Sequence, residues 1–203
     1  MEKRVLFMGD SIAADAALSF VPSVVQKLSK RIGQSVTAVN SSVPSSNVLD
    51  LLDRAQELLV GEEFSAAVVF VGINDSKNLV QTREALVPLP LFRSRLSDLA
   101  KRIEMCTQNV VLCGLPDLLF SHIEESGILD DYWFWRVDEY RGYSAAISEV
   151  SKESSRRKFV DLKSIFDECE FDTVDLFKSD GVHPNSLGQY LISSALVEEL
   201  SKL

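Results

Sequence analysis

Three short stretches carry side chains suited to acyl chemistry, and they lie far apart in the chain: Gly9-Asp10-Ser11, Gly72-Ile73-Asn74-Asp75 and Asp180-Gly181-Val182-His183-Pro184. A serine hydroxyl is a poor nucleophile at its own pKa and needs a base to take its proton. Of the two histidines, His183 has a carboxylate three residues before it, across a glycine turn, whereas His122 has none within a turn. Asp180 is close enough to hydrogen-bond the His183 ring, fix its tautomer and leave the other ring nitrogen facing outward. A collapsing acyl intermediate also needs donors aimed at the developing oxyanion, and Asn74 can supply its side-chain NH₂. Taken singly, each stretch has a plainer reading: a turn opening a helix, a helix cap, a residue at a helix start. Asp10 reads as structural, holding its loop through backbone N–H groups. His122 reads as a loop residue at the edge of the site or in its pocket wall.

Hydrophobic periodicity supplies the elements that must bring these stretches together. Residues 4–8 read as a buried strand, after which Gly9 frees the backbone for a sharp turn. Further strands are predicted over residues 35–39, 66–71, 109–113 and 159–161. The small residues 13–17 follow the first strand, and a helix is then predicted over 20–32, capped by Ser19 and stopped by Gly33. Further helices are predicted from Val48 onward, capped by the loop serines Ser45 and Ser46, and over 91–105, 130–156 and 186–200, the last opened by Pro184. Alternating strands and helices imply βαβ units and a parallel sheet, hence one three-layer α/β/α domain over residues 1–203. Asp10-Ser11, residues 40–46 and Asn74-Asp75 then all leave strands at the carboxyl edge of that sheet, where open parallel sheets bind ligands. Tyr132-Trp133-Phe134-Trp135 with Tyr140 and Tyr143 reads as packing of the long helix. The alternative is an acyl- or aryl-binding wall shared with Leu115, Pro116, Leu118, Leu119 and Phe120.

Bulk composition narrows the function classes. The 203 residues are 46% hydrophobic and 25% charged, as in an ordinary globular protein. A net charge of −9 argues against nucleic acid or an anionic membrane surface as partner. The one basic cluster, Arg156-Arg157-Lys158, reads as a solvated helix end. Cys106, Cys113 and Cys169 are odd in number and lack metal spacing, which gives no disulfide framework or zinc site and suits a reducing, cytoplasmic compartment. No apolar run approaches the length that membrane insertion requires. Nothing in the sequence sets an oligomeric state.

In order and wide spacing, the three stretches resemble blocks I, III and V of the GDSL or SGNH hydrolases, over residues 9–185. The resemblance implies a flavodoxin-like sandwich with strand order 2-1-3-4-5. It makes Ser11 the nucleophile, His183 the base and Asp180 its orienter, with Asp10 and Gly72 as structural support. It also implies an oxyanion hole of the Ser11 backbone N–H, the Asn74 side chain and the backbone N–H of a block II glycine. That glycine follows an Asn ending strand two. Here Asn40 is present, but the segment 41–46 contains no glycine; Ser45 falls at the matching place, with Ser42 as second candidate. A backbone donor does not require glycine if Ser45 adopts the needed dihedrals. The activity implied is a metal-independent, cofactor-free serine esterase acting on a small-molecule ester, with short acyl groups expected. Activity should fall at acid pH, because only neutral imidazole accepts the serine proton.

Two other readings compete. A receiver-like signalling domain, phosphorylated on Asp75, shares the strand order, and Asp10, Asp75 and Lys163 loosely mimic its layout. A catalytically inactive binding module on the same fold is made plausible by the missing block II glycine.

Overall fold

The chain alternates strand and helix from its amino terminus, and its apolar runs become the middle of one sheet. The computed structural model describes residues 2–14, 19–120, 123 and 132–202. Five parallel strands, β1 (Lys3–Gly9), β2 (Val36–Asn40), β3 (Ala66–Phe70), β5 (Val110–Cys113) and β7 (Arg157–Val160), lie in the order β2-β1-β3-β5-β7. Counting only these strands, the order is 2-1-3-4-5. The break in numbering comes from a two-stranded antiparallel ribbon, β4 (Asn78–Leu79) and β6 (Trp133–Phe134). Every residue of β3 is buried, as expected of a strand covered on both faces. Pairing of Gly9 with Phe70 aligns the carboxyl ends of β1 and β3, so the segments leaving them emerge side by side.

Helices α1 (Ser11–Ala14), α2 (Phe20–Ile32), α3 (Val48–Leu58), α4 (Leu89–Ile103), α5 (Val137–Ser151), α6 (Leu162–Asp167) and α7 (Ser186–Leu200) complete the layers. α2 packs on α7, while α3, α4 and α5 pack in series, so two helical sets flank the sheet. Ser19 caps α2 through Val21 N–H, and Gly33 ends that helix in the left-handed conformation.

Several expectations are corrected. The helix predicted over 130–156 runs only from Val137 to Ser151; Trp133 and Phe134 are extended and pair with β4. Bulky aromatics suit a strand, and β4 satisfies their backbone. Tyr140 and Tyr143 do pack into the core, each about 1% exposed. The cap of α3 is Asn47, reciprocated by Asp50 in a capping box, and not Ser45 or Ser46. Asn185 caps α7, while Pro184 lies outside the helix and bridges Phe177. Arg157 opens β7 with its side chain buried between Glu104 and Glu153, so the basic cluster is not a solvated helix end. Gly9 does not use a positive φ; a Cβ there would stand 2.8 Å from Phe70 O, so glycine permits close strand approach. His122 and residues 15–17 lie outside the described residues.

Candidate active site

Asp10 is the last polar group before the chain turns into α1. Its Oδ1 accepts Ile12 N–H at 3.0 Å and its carbonyl accepts Ala13 and Ala14 N–H, which sets Ser11 on the first helical position. Across the sheet edge, the left-handed Gly181 (φ 68°) folds the segment 180–183 back on itself. Asp180 Oδ1 accepts Val182 and His183 N–H at 2.9 and 2.8 Å, and its Oδ2 lies 2.8 Å from His183 Nδ1. His183 Nε2 lies 2.8 Å from Ser11 Oγ.

Proton positions follow from the acceptors. Burial favours the neutral acid at Asp180, but the N–H bonds from His183 and Val182 and the His183 ring outweigh it and hold the carboxyl below its usual 3.8. An ionised carboxylate only accepts, so His183 Nδ1 carries the ring proton and donates it to Asp180. Nε2 then presents its lone pair, and the Ser11 hydroxyl donates to it.

The loop after β2 is tied to β1 by an extension of the ladder: Ser41 N–H donates to Phe7 O and Val43 N–H to Gly9 O. Asn40 adds Nδ2 to Ala13 O, and its Oδ1 accepts Ser42 N–H at 3.1 Å. Ser46 N–H donates to Val43 O, closing a turn with Pro44 second and Ser45 third. Ser45 has φ 63°, the positive φ that a type II turn demands at its third residue. Ser45 N–H is the one amide of the segment 41–46 with no partner among the described residues.

Asn74 lies two residues after Gly72, where a φ of 133° would strain any side chain and a Cβ would press on Leu115 Cδ1 at 3.0 Å. Asn74 is buried and donates Nδ2 to Ser46 O at 3.0 Å. Asp75 is fully buried and accepts Val48 N–H at 2.9 Å through Oδ1, so it anchors the start of α3. Burial raises its pKa to about 7, against the Val48 bond; burial likewise raises Asp10 to about 6, against the Ile12 bond. A phosphoacceptor must meet solvent, and Asp75 does not; Lys163 is engaged by Asp117 and Asp167 instead. The receiver layout is therefore not formed.

A pocket of about 460 Å³ opens beside the hydroxyl, lined by Ser11, Ala14, Ser42, Pro44, Lys178 and His183. Among the described residues, no aromatic lines it, so the alternative reading of the aromatic cluster as an acyl- or aryl-binding wall is not met at this pocket. Among the described residues, no three of His, Cys, Asp and Glu converge as a metal would need. Three participants escaped the sequence reading: Lys178 in the pocket wall, and Ser46 and Arg54, whose Nη2 donates to Ser46 Oγ at 3.0 Å. Arg54 stands seven residues after Asn47, on the same helix face, and helical side chains lean toward the amino end.

The family model of the GDSL-like lipases and acylhydrolases matches residues 7–191, nearly the whole chain. The chain belongs to this family. Among solved structures, a lipase/acylhydrolase from Enterococcus faecalis has a TM-score of 0.78 at 21% identity, over 98% of this chain and 96% of that one. Axe2, an acetylxylan esterase from Geobacillus stearothermophilus, has a TM-score of 0.74 at 20% identity, over 98% of this chain and 94% of that one. At these identities the likeness shows the GDSL fold, with its five-stranded parallel sheet between helices. No curated protein matches the chain. Membership of the GDSL-like family makes the protein an acyl hydrolase in class. Among the described residues, no helix is long and apolar enough to cross a membrane.

Proposed function

We propose that this protein is a serine esterase that cleaves small carboxylic esters of short acyl chain through an acyl-enzyme, with Ser11, His183 and Asp180 as its triad. The observation that carries the reading is the unbroken line from Ser11 Oγ through the His183 ring to Asp180, with 2.8 Å at each step. Two solved variants of the acetylxylan esterase, a serine-to-alanine and an aspartate-to-alanine replacement, are described as catalytic mutants, in keeping with a serine–aspartate machinery.

In this mechanism His183 Nε2 takes the Ser11 proton as Oγ attacks the ester carbonyl, and Asp180 stabilises the imidazolium that forms. The tetrahedral oxyanion rests on the Ser11 N–H, the second Asn74 N–H and the Ser45 N–H. Ser45 is preferred to Ser42 because the Ser42 amide is already given to Asn40 Oδ1. His183 then protonates the departing alcohol, deprotonates water, and the acyl group leaves as a carboxylic acid. A short acyl group suits the modest pocket beside Ser11. The three free cysteines suit a reducing, cytoplasmic location.

Hydrolysis of p-nitrophenyl esters of increasing chain length tests the proposal. Turnover should be greatest for acetate to butyrate and vanish in Ser11→Ala. Activity that survives Ser11→Ala would refute it, and a preference for long chains would refute the short-acyl assignment alone.

A further inference from the structure

Ser46 stands between two groups that bear on the oxyanion. It is 3% exposed; its carbonyl accepts Asn74 Nδ2 and its hydroxyl accepts Arg54 Nη2, both at 3.0 Å. A carbonyl can be approached only by a donor, so this contact settles which end of the Asn74 carboxamide faces the loop. The second N–H of that planar amide is then left with one direction. Ser46 is also the fourth residue of the turn whose third is Ser45, and its own N–H closes that turn on Val43 O. Whatever holds Ser46 therefore holds the left-handed Ser45 and the Asn74 amide together. Arg54 is the group that holds it from α3. Its Nε is buried with no partner among the described residues, so that nitrogen has given up water while the half-buried side chain makes this contact.

We propose that Arg54 is a positioning residue for the oxyanion hole, acting through Ser46 to keep the Ser45 N–H and the Asn74 side chain in register. The inference rests on the esterase reading and adds to it a residue one step away from the reacting atoms. It also accounts for a non-glycine residue at the left-handed position. A turn braced at its fourth residue tolerates the conformational cost of a left-handed side-chain-bearing residue at its third.

Steady-state hydrolysis of p-nitrophenyl acetate by the full chain separates the possibilities. Donors to the oxyanion act in the transition state, so Arg54→Met should lower kcat about tenfold with KM within about twofold. Arg54→Lys, which retains a donor and the charge, should recover most of the loss. Ser46→Ala should resemble Arg54→Met, and the double variant should be little worse than either, since both break one bridge. Wild-type kcat in Arg54→Met and Ser46→Ala, beside an inactive Ser11→Ala, would overturn the positioning role and leave the esterase standing. Turnover undiminished in Ser11→Ala would remove the esterase reading and the inference with it. Should Arg54→Met not fold, Ser46→Ala and the NMR shifts of its Asn74 side-chain amide decide: shifts unmoved from wild type would also overturn the role.

Discussion

Ser11 Oγ and His183 Nε2 stand 2.8 Å apart although 172 positions separate them in the chain. The contact requires β1 held inside the sheet between β2 and β3, α7 packed on α2, and the Phe177–Pro184 bridge that turns His183 back over the edge. Asp180→Asn tests what the third member adds. The carboxamide would keep an oxygen for the Val182 and His183 amides, yet turn an N–H toward His183 Nδ1 and drive the ring proton to Nε2. A protonated Nε2 cannot accept from Ser11, so kcat should fall by up to about 10⁴, the loss this swap produces in triad proteases. The melting temperature should change little. In the wild type, activity should decline at acid pH as the imidazole takes a proton, and a profile flat to about pH 4 would exclude His183 as base.

Ser45→Gly tests the left-handed turn. Glycine adopts φ 63° without the Cβ penalty, worth about 1–2 kcal/mol, while its freer unfolded chain returns about 0.5–1 kcal/mol. The variant should therefore be as stable as wild type or slightly more so in urea, with kcat unchanged or raised. A loss of more than about tenfold in kcat would show that the serine hydroxyl, and not its amide, is what the site uses.

Arg157→Met addresses stability away from the site. The Arg157 guanidinium bonds Glu104 Oε1 at 2.9 Å and Glu153 Oε2 at 3.1 Å, and its side chain is only 2% exposed. It opens β7 at the end of the sheet opposite to Ser11. Methionine would fill the space and strand Glu104, whose side chain is 13% exposed, at a cost of about 3 kcal/mol in urea unfolding. The folded variant should hydrolyse esters at the wild-type rate.

What the sequence revealed, and what it hid, divides by range. α2 with its Ser19 cap, α7, and the strand ends that carry Ser11 and Asn74 were legible because each depends on local periodicity followed by a glycine or a polar residue. Arg157 was misread because its partner Glu104 lies 53 residues away, and a basic triplet looks the same on either kind of element. β6 was taken into the helix because its pairing with β4 is non-local, whereas its aromatics recur at a spacing a helix also allows. The Asp180–His183 contact could be read from spacing alone. The hold of Arg54 on Ser46 could not, since it depends on where α3 meets the loop.

Asp75→Asn bears on how stability varies with pH. Asp75 and Asp10 are both buried, each has an Oδ2 with no partner among the described residues, and burial raises them to about 7 and about 6. The folded state therefore holds protons on these acids that the unfolded chain releases above its ordinary carboxylate range. Stability they support is fully present below about pH 4 and is lost as pH rises through about 6 to 7. Asp180, Asp117 and Glu104 work in the opposite sense: burial alone would raise each, but backbone amides at Asp180, Arg141 and Lys163 at Asp117, and Arg157 at Glu104 hold them low. Their contribution is present above the ordinary carboxylate range and is lost as pH falls below it. Wild-type stability should thus peak near pH 5 and decline toward pH 8. The substituted carboxamide would still accept Val48 N–H through its oxygen while having no charge to bury, so the decline between pH 5 and 8 should shrink. Urea midpoints at the two pH values measure it, and an undiminished slope in Asp75→Asn would show that Asp75 is already ionised in the folded protein at neutral pH.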